Sequence, residues 1–117
     1  MLQEVIRDTT FPDPIKKLPK ADIPIEGSKA YLSQAENHQI IYMEFDTDVD
    51  LSEHSHASEF GIVLEGKIDL NIGGKQHTFV KGDRYFIPEG VPHSGKIYAG
   101  YAEVSFFDDV SRYKAIE

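Results

Sequence analysis

The chain contains no cysteine. That excludes a disulfide framework, a cysteine-ligated zinc ribbon and a thiol nucleophile. It also lacks any apolar run approaching the length of a membrane-spanning helix. The opening residues, Met1 to Asp8, carry charge and no long apolar stretch, so they do not read as a signal peptide, and the cytoplasm is the expected location. Positive charge is scarce, with 12 Lys and Arg against 20 Asp and Glu, for a net charge of −8 with His neutral. An acidic surface of this kind argues against nucleic-acid and anionic-membrane partners and is compatible with a metal cation. No segment sustains a 3.6-residue apolar period, and internal repeats and low-complexity tracts are missing.

What is present fits a single domain: 117 residues, 40% hydrophobic and 27% charged. Proline is unevenly placed. Pro12, Pro14, Pro19 and Pro24 account for four of the six. Proline disfavours helix interiors and central strands, so residues 1–28 are predicted to form an extended N-terminal segment. Ile15, Leu18, Ile23 and Ile25 would anchor it on the body of the domain or on a partner subunit. Residues 29–117 form the predicted β-barrel domain. An exposed sheet edge together with those anchors predicts a homodimer.

Strand signals begin at Lys29. Lys29 to Ser33 and Gln39 to Phe45 are rich in β-branched and aromatic residues. Asp46 to Ser52 reads as an acidic loop, without the glycine and terminal Glu of a calcium-binding EF-hand loop. Ile68, Leu70 and Ile72 alternate with Lys67, Asp69 and Asn71, which predicts a half-buried strand. Gly73-Gly74 then reads as a two-residue hairpin turn, with Lys75 to Val80 as the return strand. Phe60 to Leu64, Tyr85 to Ile87, His93 to Ile97 and Tyr101 to Phe107 complete seven or eight short strands, an all-β sandwich or barrel. Phe60, Phe86, Phe106, Tyr42 and Tyr101 are expected in the core or in pocket walls.

Five histidines stand in the chain. His54 and His56 are two apart, and on a strand that spacing puts both imidazoles on one face. His93 arrives from a distant stretch, directly after Pro88-Glu89-Gly90-Val91-Pro92. Ligands from separate strands converging on one point are what a metal site requires. His77 falls opposite Leu70 in the Gly73-Gly74 hairpin and reads as structural, and His38 lies beside a turn and is expected to be exposed.

These residues carry a family pattern. His54-Ser55-His56, Glu59 and, after six residues, Gly66 resemble the first motif of the cupin superfamily. Gly82, Pro88-Glu89-Gly90 and His93 match the spacing of the second. The resemblance covers about residues 29–107 and implies a small single-domain cupin, a double-stranded β-helix or jelly-roll barrel. It also implies one divalent transition metal (Mn, Fe, Ni, Zn or Cu) on His54, His56 and His93, with Glu59 as a fourth ligand. The first motif departs from the usual pattern at Asp48 and the second at Ile97. Only Ala57 and Ser58 separate His56 from Glu59, which sets Glu59 out of parity with His56 unless the chain turns between them. The alternative places Glu59 beside the ion, as a hydrogen-bond acceptor or substrate contact with an acid–base role. Cupin enzymes include dioxygenases, isomerases, epimerases, decarboxylases and lyases. The resemblance therefore implies a metal-dependent enzyme acting on a small polar metabolite such as a sugar acid, keto acid or dicarbonyl. A non-catalytic binding or sensor module is the second reading.

Overall fold

Two antiparallel sheets face one another in the computed structural model, which describes residues 10–116. The reading of Met1 to Asp8, and the start of the proline-rich segment, lie outside the described residues. A short helix α1 (Asp13–Lys16) precedes nine strands. These are β1 (Ser28–Gln34), β2 (Gln39–Phe45), β3 (Val49–His54), β4 (Glu59–Glu65), β5 (Lys67–Ile72), β6 (Lys75–Val80), β7 (Arg84–Ile87), β8 (His93–Ile97) and β9 (Ala102–Phe107). One sheet has the order β1-β2-β9-β4-β7 and the other β3-β8-β5-β6. The all-β jelly-roll expectation therefore holds, with nine strands where seven or eight were anticipated.

The additional strand is β3, which occupies the stretch expected to be an acidic loop. It is an edge strand of the four-stranded sheet, and its exposed Asp50, Ser52 and Glu53 give it the polar surface such edges carry. Asp48, just before it, accepts a hydrogen bond from the Ala99 amide and lies 3.7 Å from the Lys96 ammonium. The hairpin between β5 and β6 forms as expected, because Gly73 and Gly74 both take positive φ, 58° and 87°, which only glycine adopts readily. In that register His77 pairs with Leu70 and stacks on Phe79.

The core lies between the sheets. Ile41, Met43, Phe45, Val63, Ile87 and Phe107 come from the five-stranded sheet, and Ile68, Leu70 and Ile97 face them from the other. Tyr101, from the turn before β9, is fully buried as anticipated. The expectation fails for three phenylalanines. Phe60, Phe86 and Phe106 are 39%, 56% and 39% exposed and lie side by side, because Phe60 pairs with Phe86 on one flank and with Phe106 on the other. The inward positions of β4 and β9 are instead Glu59, Gly61 and Val63, and Glu103, Ser105 and Phe107. Polar residues here face in while aromatics face out, which inverts the usual alternation.

The N-terminal segment packs on the barrel through isolated bridges, Lys20 to Tyr31 and Ala21 to Ala115, and Phe11 meets Tyr31 and Tyr42 edge-on. It thus joins the C-terminal residues along one side of the barrel.

Gly61 lies opposite Tyr85, and a Cβ there would overlap the Tyr85 ring. Gly61→Ala is predicted to displace that ring and destabilise the protein by about 1–3 kcal/mol, the cost of overpacking a filled core. Urea denaturation measures it, and an unchanged midpoint would contradict the packing described.

Candidate metal centre

The three histidines reach their common point by different routes. His54 ends β3 and pairs directly across from His93, the first residue of β8, beyond an irregularity in the register between Leu51 and His54. His56 is not on the strand with His54, as its i+2 spacing suggested. It lies in the segment that carries the chain from one sheet to the other. That segment is fastened to the second motif: the Gly90 amide donates to the His56 carbonyl at 3.0 Å. The ligand atoms of His54, His56 and His93 lie within 4.8 Å of one another, so the three could hold a metal ion. His38 and His77 stand outside this group, and His38, half-buried, stacks on Phe106 rather than lying exposed.

The hydrogen bonds of the rings decide their chemistry. Nδ1 of His54 donates to the Ser52 carbonyl at 2.8 Å, that of His56 to Ala57 at 2.7 Å and that of His93 to Val91 at 3.0 Å. A carbonyl only accepts, so each Nδ1 carries a proton, which leaves Nε2 as the nitrogen each ring can offer to a metal. Nε2 of His56 and Nε2 of His93 are 3.1 Å apart. That is hydrogen-bond distance, so a proton on one ring or a cation between the two would bridge them, and nitrogens about 2.0–2.1 Å from one ion at roughly a right angle are separated by about this much. Burial lowers the pKa of both His56 and His93, which keeps them neutral and ready to ligate.

Glu59 lies beside the three imidazoles and is not one of the group. It is the first residue of β4 and points inward, because the chain turns at 55–58 and resets the parity. One oxygen is 3.5 Å from His56 Nε2, and the other accepts a hydrogen bond from the Tyr85 hydroxyl at 3.0 Å. Behind it lies a second buried carboxylate that sequence reasoning missed. Glu103, on β9, lies 2.8 Å from the Tyr85 hydroxyl and accepts from Tyr101 at 2.7 Å and from Ser105. Burial first, and the nearby Glu59 second, push the Glu103 carboxyl up to about 8. Burial also raises Glu59. Two carboxyls in one dry pocket do not both ionise readily. The inverted alternation of Tyr101, Glu103 and Ser105 was the available signal, and the apolar Val104 and Phe106 that follow Glu103 and Ser105 masked it.

A cavity of about 590 Å³ contains this constellation, lined by the three histidines, Glu59, Tyr85 and Glu103. Ile23 and Ile25 from the N-terminal segment and Arg112 and Tyr113 from the C-terminal one form further wall.

Residues 41–107, more than half of the chain, match the family described as Cupin domain. No curated protein matches the chain. Among solved structures, an RmlC-like cupin from Shewanella frigidimarina superposes with a TM-score of 0.69 at 22% identity, over 80% of this chain and 86% of that one. KdgF from Halomonas sp. gives 0.66 at 14% identity, over 78% and 87%. A single-residue variant of oxalate decarboxylase from Bacillus subtilis gives 0.67 at 21% identity, over 83% of this chain and 29% of that one. At these identities the likeness is one of fold.

The carboxyl pair generates a prediction. In the unfolded chain Glu103 ionises near its ordinary 4.5, whereas in the folded protein it holds its proton to about 8. Its contribution to stability is therefore complete below 4.5 and is lost as pH rises through that window, at up to about 1.4 kcal/mol per pH unit. The stability difference between metal-free wild type and Glu103→Gln, measured by denaturation at about pH 5 to 8, should shift in favour of the variant as pH rises. A difference independent of pH would contradict the protonated carboxyl.

Proposed function

The chain belongs to the cupin family, and on that footing we propose that His54, His56 and His93 hold one divalent transition metal ion and that the protein is a metal-dependent enzyme acting on a small polar metabolite. The observation that carries this reading is the set of three Nδ1–H bonds to backbone carbonyls, on rings whose ligand atoms lie within 4.8 Å of one another, which leaves Nε2 of each available to an ion. Structural metal sites are closed by four protein ligands, whereas three leave positions open. A metal held there would polarise an oxygen of the substrate or activate a bound water or dioxygen.

The chain's own residues supply the rest. Glu59 is the acid–base group. Burial raises the pKa of its carboxyl, which favours the form that holds a proton. Tyr85 orients it by donating to one oxygen, which leaves the other free to face His56 and the cavity. The apolar wall of Ile23, Ile25, Leu51 and Ile87 limits water around the reacting atoms. The cavity volume suits a sugar acid, a keto acid or a dicarbonyl. Structural neighbours named oxalate decarboxylase and salicylate 1,2-dioxygenase act on small organic acids by their names, which supports a substrate of that size.

The homodimer expected from the sequence is also part of this proposal. The neighbouring exposed Phe60, Phe86 and Phe106 form an apolar patch on a chain that otherwise carries a net charge of −8, and such a patch suits a second copy of itself. Light scattering at micromolar concentration should give the mass of two chains, and Phe86→Ser should lower it towards one. A monomeric wild type would overturn this part of the proposal.

His93→Ala is predicted to keep the fold by circular dichroism while the metal retained on purification falls from about one ion per chain to a small fraction. It should also abolish turnover of whichever acid or dicarbonyl gives a metal-dependent thermal shift. Unchanged metal content would refute the assignment. Ligand binding without product would instead support the binding module.

A further inference from the structure

Among the described residues, Arg112 has no ion-pair partner, and it lies at the wall of the cavity that contains the three histidines. The chain has 20 Asp and Glu, yet among the described residues the Lys and Arg ion pairs are Lys81 with Glu65 and Lys96 with Asp48, and Arg112 joins neither. Its Nε is buried and makes no hydrogen bond. A guanidinium is always charged and has five N–H donors, so leaving it unpaired inside a protein is costly, and a functional site is a common reason for such an exception.

The residue is held in place rather than left loose. The guanidinium lies over the Tyr113 ring, 4.6 Å from its centroid, and 5.9 Å from that of Phe107. Tyr113 is in turn clamped by Gln39, whose fully buried side chain accepts the Tyr113 amide at 3.0 Å and donates to its carbonyl at 2.8 Å. Arg112 and Tyr113 line the same cavity as His54, His56 and His93. A half-buried guanidinium, stacked on Tyr113 and sharing a cavity with three clustered imidazoles, has the form of one half of a two-point binding site.

We propose that Arg112 is an anion subsite that takes the carboxylate of a small organic acid, whose hydroxyl or keto oxygen faces His54, His56 and His93. This rests on the metal-dependent reading above and narrows it to acids, at the expense of neutral dicarbonyls. The fork of a guanidinium matches a carboxylate through two parallel N–H···O bonds, and an amide of the same shape offers one acceptor and no charge. Arg112 thereby selects the acid and sets its orientation.

Calorimetric titration with pyruvate and glucuronate, each against its neutral amide, tests the proposal on the full chain in metal-loaded and metal-free forms. At least one acid should bind the metal-loaded protein about tenfold or more tightly than its amide. Arg112→Met should remove that preference while metal content stays the same, and Arg112→Lys should retain only part of it. The acid preference of the metal-free protein should be weaker but present. Equal binding of acid and amide, no binding of either acid, or a preference that survives in Arg112→Met, would overturn the anion subsite while leaving the metal assignment standing. If no metal binds but the Arg112-dependent preference for acids persists, the metal reading fails and the subsite stands.

Discussion

Three short hydrogen bonds from imidazole Nδ1 to backbone carbonyls govern the rest of this molecule's chemistry. Ser52, Ala57 and Val91 supply those carbonyls, and each lies within two residues of the ring it orients. The rings are therefore fixed by local backbone geometry, which the sheets in turn make rigid. His54 and His93 are brought together by strand pairing, and His56 by the Gly90 amide that ties its loop to the turn before β8. The resulting cluster holds two Nε2 atoms 3.1 Å apart, a contact that a shared proton or a metal cation would bridge. The barrel supports it because the backbone around it is engaged in strand pairing and turns.

The second constraint is the burial of charge-bearing groups behind that cluster. Glu59 and Glu103 share the hydroxyl of Tyr85, and Tyr101 and Ser105 complete the ring of donors around Glu103. Such a network is tolerable in a dry interior only if its members are hydrogen-bonded and one carboxyl keeps its proton. Gly61 makes room for the Tyr85 ring, so a residue with no side chain sets where the shared hydroxyl lies. The cavity thus has imidazole nitrogens at one place, a proton-holding carboxyl pair behind them and an unpaired guanidinium on another wall. Under the proposed function, substrate polarity, proton traffic and orientation fall to different side chains.

The legible parts of the fold were those written in local chemistry. The Gly73-Gly74 turn dictates its hairpin whatever surrounds it, and the alternation of Ile68, Leu70 and Ile72 names its own buried face. The spacing of Gly82, Pro88, Gly90 and His93 likewise prescribes a turn that delivers a histidine. Strand β3 was hidden because a charged edge strand resembles a solvated loop in composition. Glu103 and the outward phenylalanines were hidden because the burial alternation is inverted at the site, where function has displaced the usual sorting of residues. Arg112 could not be read at all: its position depends on Gln39, far away in the chain, holding the backbone of Tyr113.

The most direct test of the central claim is anomalous diffraction from crystals of the protein loaded with a single transition metal, collected at that metal's absorption edge. The account predicts one strong peak per chain, about 2.0–2.2 Å from Nε2 of each of the three imidazoles. A peak bound through any Nδ1, or the absence of a peak at this cluster in protein that carries the metal elsewhere, would contradict it.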